Sequence, residues 1–223
     1  MSLDRSDDAR RNILNRIRRG LGRGDTPSQA ERQSLDTWMA ARPRGPLNAV
    51  EGALVDVFRT RAEAMQSTTV RVADLAAVPA EAARYLAALG LPASGCVWPA
   101  LAGMDWQAHG ISVEARAAID ADRLGITGAY AGIAETGTLM VVSSPETPAS
   151  VSLLPETHIA VIEAHRIVAH MEDAWALLRS GMGEPPRAVN FISGPSRTGD
   201  IEQTIVLGAH GPFRVHLIIV ENG

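Results

Sequence analysis

Four apolar runs in the second half of the chain constrain its fold more than any other feature. They are rich in leucine, isoleucine and valine and read TLMVVSS (138–144), HIAVIEA (158–164), AVNFIS (188–193) and RVHLIIV (214–220). Runs that stay apolar, instead of alternating with polar residues, are typical of strands buried on both faces of a sheet. They predict an α/β fold in which helices cover a mostly parallel sheet.

Helical patterns lie between these strands and before them. Residues 169–181 place Met171, Ala174, Trp175 and Leu178 on one face and end at Gly181, which predicts a helical crossover. Helices are also predicted from Leu47 to Phe58 and over 80–90, with strands over 68–74 and 95–99. The expected α/β domain spans residues 47–223.

Residues 1–46 have the pattern of a basic helical arm followed by a linker. Ile13, Leu14, Ile17 and Leu21 form one helical stripe. Residues 1–45 hold 10 arginines and 6 acids, whereas the remainder holds 11 and 19. The Gly, Pro and polar content of 22–46 predicts a loosely structured connection. The helix could lie on its own domain or dock to a partner protein.

The composition excludes several kinds of site. Cys96 is the single cysteine, so the chain cannot form an internal disulfide, a cysteine-based zinc site or a self-contained iron–sulfur cluster. The chain has no lysine, which removes Schiff-base chemistry and the lysine of a phosphate-binding loop. His158, His165 and His170 fit no metal-binding spacing, so we expect no metal site and interpret them as surface or strand-end residues.

Charge and hydropathy narrow the cellular setting. The net charge of −4 and 4% aromatic content argue against a nucleic-acid partner. No apolar run reaches the ~18–20 residues of a membrane span, and no hydrophobic leader segment is visible. We expect a cytoplasmic protein.

The first stretch that could carry chemistry is GIAETGT (132–138), a glycine-punctuated turn leading into a strand. Gly132 and Gly137 allow close backbone approach, and Glu135, Thr136 and Thr138 add a carboxylate and two hydroxyls. The carboxylate could act as a base or nucleophile. A tight turn whose threonines bond their own backbone explains the motif equally well.

The second stretch is SGPSRTGD (193–200). Ser196, Arg197 and Thr198 follow a proline-fixed turn and precede DIEQTIVL, where Asp200 or Thr198 could cap a short helix. A guanidinium beside a helix start would bind a carboxylate or phosphate. Arg197 could instead pair internally with Asp200 or Glu202. A serine-hydrolase elbow is excluded, because its second glycine would fall at Thr198.

The third stretch is GAHGP (208–212), which flanks His210 with glycines and follows it with proline. A histidine in such a turn is expected to be exposed at a strand edge. It could contact a ligand or carry a proton.

Taken in order, IAETGT, SLLPETHI, SGPSRTGDIE and GAHGP resemble the LUD-domain family of lactate utilization protein C (LutC, also called YkgG). The resemblance is specific across about 124–223, and ARRNILNRIRRGLG is similar to the family's N-terminal helix. Gly199 departs from the pattern, in which alanine is expected. It adds backbone freedom but removes no functional group.

The resemblance implies a three-layer α/β sandwich similar to the NagB, ribose-5-phosphate isomerase and CoA-transferase group. It also implies a place in a bacterial system that oxidises L-lactate to pyruvate with two iron–sulfur proteins, the A and B components. Iron–sulfur clusters would then belong to these partners, with no cofactor in this chain.

Three roles stay open, and a homo-oligomer is compatible with each. The favoured one is a non-redox subunit that binds a small carboxylate such as L-lactate or organises the partners. The others are a stand-alone enzyme acting through Glu135 on acyl, CoA-ester or phosphosugar substrates, and a regulatory module using the basic arm. We expect the site residues to converge at one end of the sheet: Glu135 and His210 as catalytic groups, and Thr136, Gly137, Thr138, Ser196, Arg197 and Thr198 as substrate-binding groups.

Overall fold

Six parallel strands form the central sheet of the protein. The computed structural model describes residues 3–24, 26–198 and 206–223. By its internal contacts the chain divides into two units, Met1–Leu47 and Asn48–Gly223. The first unit contains two helices, and the second contains both larger sheets.

The helices are α1 (Leu3–Gly20), α2 (Gln29–Ala41), α3 (Leu54–Ala64), α4 (Val78–Ala88) and α5 (Met171–Gly181). The strands are β1 (Thr68–Asp74), β2 (Ser94–Val97), β3 (Ser112–Ala115), β4 (Leu124–Gly128), β5 (Ala131–Ile133), β6 (Thr138–Val142), β7 (Thr157–Glu163), β8 (Ile167–Val168), β9 (Val189–Ile192), β10 (Arg197–Thr198), β11 (Val206–Leu207) and β12 (Arg214–Asn222).

The central sheet has the order β1-β12-β7-β4-β2-β3, and every neighbouring pair is parallel. The runs HIAVIEA and RVHLIIV supply its middle strands, β7 and β12, which are almost entirely buried. Both faces of these strands are covered, so no polar alternation is needed. The prediction of an α/β fold around a mostly parallel sheet is confirmed.

A second, four-stranded sheet has the order β8-β5-β6-β9. The runs TLMVVSS and AVNFIS supply β6 and β9, which pair antiparallel with each other. Their assignment to the parallel sheet was therefore wrong, although both are strands. Strand β6 is fully buried, whereas β9 is only partly buried and its Phe191 is exposed. In both cases an apolar run carries no information about the direction of the strand.

Three apolar clusters hold these layers together. Helix α4 packs on one face of the central sheet. Helix α3 and the second sheet pack on the other face, where Phe58 is fully buried. Helix α5 covers the far side of the second sheet through Ala174 and Leu178. The second sheet thus lies between the central sheet and α5.

Helix α2 corrects the prediction of a loosely structured connection over 22–46. Ser28 begins the helix with a capping box: its hydroxyl accepts from the Glu31 backbone N–H, and the Glu31 carboxylate accepts from the Ser28 N–H at 2.8 Å. The helix ends at Arg42, which adopts a left-handed φ of 45°. No side chain of α2 is buried. Its apolar stripe is short, Leu35, Trp38 and Met39, and the nearby Gly and Pro residues favoured a loop interpretation.

Two histidines lie inside the central sheet. His158 Nε2 is 2.8 Å from Thr127 Oγ1, and His216 Nδ1 is 2.8 Å from Thr68 Oγ1. The His216 ring also stacks on Tyr85, with 3.9 Å between centroids. The other ring nitrogen of each histidine has no hydrogen-bond partner among the described residues. His158 is the second residue of β7, which fits the strand-end interpretation, but it is fully buried, so the interpretation as a surface residue was wrong.

This burial makes stability depend on pH. Loss of solvation lowers the pKa of His158 and of His216 to about 4, from 6.5 when unfolded. Between these values the unfolded chain binds protons that the folded chain excludes, so stability falls as pH decreases from about 6.5 to about 4. Each ring contributes up to about 3 kcal/mol to this loss.

We expect His216→Phe to reduce the acid-induced loss, because phenylalanine keeps a ring against Tyr85 and cannot be protonated. The measurement is the free energy of unfolding in urea between pH 7 and pH 4. The control is His165→Gln, since the His165 side chain is 58% exposed. Equal pH slopes in His216→Phe and the unmodified protein would contradict the assignment.

Candidate functional site

The turn between β5 and β6 carries Glu135, Thr136 and Gly137, and it packs against the end of α3. The Gly137 N–H donates to the Ile133 carbonyl at 2.9 Å, which closes the turn. Gly137 has a left-handed φ of 65°, and a Cβ there would lie 2.2 Å from the Ala62 nitrogen. Only glycine permits this approach.

The threonines of this turn bond to neighbouring hydroxyls instead of their own backbone. Thr136 Oγ1 donates to Thr138 Oγ1 at 2.7 Å, and Thr138 Oγ1 shares a short hydrogen bond with Ser193 Oγ at the end of β9. Since Thr138 accepts from Thr136, its own proton is available to Ser193. Ser193 is exposed, so this hydroxyl chain ends at a group that can donate outward.

Arg197 is anchored at the same end of α3. Its Nη2 donates to the Met65 carbonyl at 2.7 Å, a favourable position because the carboxyl end of a helix carries partial negative charge. Gly194 approaches the same carbonyl, and its φ of 74° is left-handed. Arg197 is exposed, and its other guanidinium nitrogens make no hydrogen bond to another described residue, so they can bind an anion.

The GAHGP loop packs beside Ser196. The Ser196 N–H donates to the Pro212 carbonyl at 2.9 Å, and the Gly208 N–H donates to the Ser196 carbonyl at 2.9 Å. His210 is exposed, as predicted, and its ring makes no hydrogen bond to another described residue. Thr198 is buried and pairs with Val206 in the β10–β11 ladder.

Part of the predicted motif lies outside the described residues. The proposed cap at Asp200 and the alternative partners of Arg197, Asp200 and Glu202, fall in 199–205. Within the described residues the partner of Arg197 is the Met65 carbonyl.

Glu135 faces a polar group that sequence reasoning missed. Asn48 Nδ2 donates to Glu135 Oε1 at 3.0 Å, and His170 Nε2 lies 2.9 Å from the Asn48 carbonyl. The His170 Nδ1 lies 3.4 Å from the Asp173 carboxylate. The Asn48 hydrogen bond, with help from Asp173 and Glu135, raises the pKa of His170. Asn48 lies 87 positions from Glu135 and 122 positions from His170 in the chain. No local sequence pattern could therefore link these three residues.

The predicted residues therefore form neighbouring groups around the end of α3. The turn with Thr136, Gly137 and Thr138 contacts Ser193 and Ala62, while Arg197 binds Met65 one helical turn away. No described hydrogen bond or ion pair joins Glu135 to Arg197 or His210. Their convergence on one ligand stays a prediction.

Thiolate and metal chemistry find little support among the described residues. Burial raises the pKa of Cys96 to about 12, so this thiol stays protonated near neutral pH. Within 3–24, 26–198 and 206–223, no cluster of three His, Cys, Asp or Glu side chains is arranged to hold a metal ion. In the same ranges no helix is long and apolar enough to cross a bilayer.

A match to a protein-family model establishes the family that the sequence motifs suggested. The model described as LUD domain matches residues 6–220, which includes both units of the chain. The chain belongs to the LUD domain family. The resemblance read from IAETGT, SGPSRTGDIE and GAHGP is thereby confirmed.

Curated relatives within this family carry one recurrent name. The chain is 43% identical over 101 residues to lactate utilization protein C of Shouchella clausii, covering 44% of this chain and 44% of that protein. It is 38% identical over 121 residues to lactate utilization protein C of Exiguobacterium, covering 52% of each. The matches thus span about half the length of these LUD-domain relatives.

A solved structure agrees with the fold. The crystal structure of a DUF162 family protein from Deinococcus radiodurans matches with a TM-score of 0.55 and 24% sequence identity. The match covers 78% of this chain and 99% of that chain. It supports the architecture of the LUD domain described above.

Gly137→Ala is expected to destabilise the domain by about 3 kcal/mol or more, because a left-handed alanine is strained and its Cβ would overlap Ala62. Urea unfolding measures the change. The matched control is Gly183→Ala, where a Cβ meets nothing within 4 Å and the expected change is within about 0.5 kcal/mol. Similar free energies for the two variants would refute the close contact at α3.

Proposed function

We propose that this chain is a cytoplasmic, carboxylate-binding component of a lactate-utilization system, in which partner proteins carry the electrons. The name of the curated relatives, lactate utilization protein C, supports the system. The observation that carries the binding role is Arg197, fixed on the Met65 carbonyl at the end of α3, the same end against which Gly137, between Thr136 and Thr138, packs.

The chemistry of L-lactate fits these groups. Its carboxylate suits a guanidinium, which donates two parallel hydrogen bonds to two oxygens. Its 2-hydroxyl can both donate and accept. At the ends of the hydroxyl chain Ser193 can donate to it, and Thr136, whose proton is given to Thr138, can accept from it. The anchor on Met65 holds the guanidinium in place, so less side-chain entropy is lost when an anion binds.

Oxidation of L-lactate to pyruvate releases two electrons and two protons. An iron–sulfur cluster that accepts electrons requires several thiolates, and this chain contains one cysteine. We therefore assign the clusters to the A and B partner components. This chain would hold the carboxylate or organise the assembly.

Arg197→Ala is expected to weaken L-lactate binding by about 30-fold or more, because a charged pair is lost. Titration calorimetry with L-lactate, on this chain and on its complex with cysteine-rich partners, measures the affinity. Growth on L-lactate of a strain that depends on this gene should fail with the variant.

The matched control is Arg84→Ala, which removes an exposed arginine from α4 on the opposite face of the central sheet. Its binding and growth should equal those of the unmodified protein. Unchanged growth and affinity in Arg197→Ala would rule out the proposed carboxylate site.

A stand-alone enzyme is the second candidate, favoured by the contacts of Glu135. A carboxylate oriented by the Asn48 amide, with His170 behind it, could act as a nucleophile or base on an acyl or CoA-ester substrate. The resemblance to the CoA-transferase group points the same way.

Glu135→Gln separates the two candidates, because glutamine can still accept from Asn48 but cannot attack a carbonyl. For the carboxylate-binding role we expect L-lactate affinity within about three-fold of the unmodified protein. Turnover of an acyl-CoA by the unmodified chain, lost in Glu135→Gln and retained in the exposed control Glu146→Gln, would favour the enzyme instead.

A further inference from the structure

The first unit of the chain contains a groove between its two helices. The groove has a volume of about 620 Å³. We call it the arm groove, defined by five apolar side chains and three arginines that line it: Leu14, Ile17, Leu21, Leu35, Trp38, Arg18, Arg23 and Arg32.

The apolar floor of the arm groove is open to solvent. The exposed fractions are 51% for Ile17, 65% for Leu21, 57% for Leu35 and 62% for Trp38. No described side chain over 7–24 and 26–47 is buried. Helices of this length are marginal in water when their apolar faces are uncovered, and contiguous exposed apolar patches mark interaction sites.

The length of the groove matches a helical partner. Its lining runs from Leu14 on α1 to Leu21, the residue after α1 ends, and from Glu31 to Trp38 on α2. Seven residues of helix rise about 10 Å, so each wall spans about two turns. A groove between two helices accepts the apolar face of a third, with contacts at i, i+3, i+4 and i+7.

The charged residues of the groove favour a helical partner that carries acidic residues. None of Arg18, Arg23 and Arg32 forms an ion pair with a carboxylate among the described residues. Glu31 also lines the groove, but its carboxylate is held by the Ser28 backbone and hydroxyl in the capping box. Arg18 donates to the Asn15 side chain at 3.0 Å, and Arg23 adds to the Ser28 hydrogen bonds that lower the pKa of Glu31. Within the described residues none of the three guanidinium groups is held in a close ion pair, so they can meet the carboxylates of an acidic partner.

Charge also argues against a second arm as the occupant. Residues 1–47 hold 10 arginines and 6 acids, so two arms brought together would repel each other. We propose that the arm groove binds an acidic amphipathic helix of a partner protein, whose apolar face covers the floor and whose carboxylates meet the three arginines.

Trp38 reports directly on the occupant. The chain has four tryptophans, and two of them, Trp98 and Trp106, are 4% exposed. The difference in fluorescence between the full-length protein and its Trp38→Phe variant isolates the Trp38 signal. Burial of this side chain shifts its emission to shorter wavelength.

The probe is a synthetic helical peptide of about 18 residues, with leucine at i, i+3, i+4 and i+7 and glutamate at most other positions. At physiological salt we expect saturable binding with a blue shift of Trp38 emission. The triple variant Arg18→Glu, Arg23→Glu and Arg32→Glu should bind at least about ten-fold more weakly. A peptide with lysine in place of glutamate should not bind.

The matched control is Arg10→Glu, Arg11→Glu and Arg16→Glu, which changes the net charge equally but outside the groove lining. Its affinity should fall by less than about three-fold. Circular dichroism checks that both triple variants keep the helix content of the unmodified chain.

Each other occupant has a distinct result that would overturn the proposal. Resistance of Trp38 to acrylamide quenching in the free monomer means that the chain covers its own groove. The same resistance in a dimer, lost on dilution, means that a second copy covers it. Binding of phosphatidylserine vesicles or duplex DNA without the peptide, or no binding at all, also excludes a helical partner.

Discussion

The contact between the end of α3 and two glycine turns organises the candidate site. Gly137 meets the backbone of Ala62, and Gly194 meets the carbonyl of Met65. Neither position accepts a Cβ, so backbone packs directly on backbone. This contact fixes the β5–β6 turn and the segment after β9 relative to one helix. The side chains on both segments are therefore held in defined positions.

The second sheet makes this contact available. It packs with α3 on one face of the central parallel sheet, and the two sheets share an apolar core with Phe58 at its centre. The polar side chains of the site lie where β6 and β9 meet their turns, at the margin of this core. A rigid apolar layer therefore supports a small set of exposed hydroxyls and one guanidinium, a common arrangement for ligand sites.

Much of this architecture could be predicted from local sequence patterns. Strand β1 was predicted with its observed bounds, and α5 ends at Gly181 as the pattern indicated. The antiparallel pairing of β6 with β9 could not be predicted, because an apolar run looks the same in a parallel and in an antiparallel strand. Helix α2 was missed because its apolar stripe is only three residues long and lies between segments rich in Gly and Pro.

Some residues of the candidate site could likewise be predicted from the sequence, and others could not. Gly137 and Arg197 stand in distinctive motifs and could be singled out from sequence. The Asn48–Glu135 hydrogen bond joins residues 87 positions apart, and that between His170 and Asn48 joins residues 122 positions apart, so only the folded chain reveals them. Ser193 lay inside a motif already noted, but its link to Thr138 depends on the register of β6 and β9.

The burial of the Cys96 thiol limits which side chains of the protein can react with electrophiles. Carbonyl compounds such as α-keto acids modify proteins through lysine amines and thiolates. This chain has no lysine, and its one sulfhydryl is buried and protonated, with its pKa raised to about 12. Near neutral pH the side chains therefore offer such compounds neither a lysine amine nor an accessible thiolate.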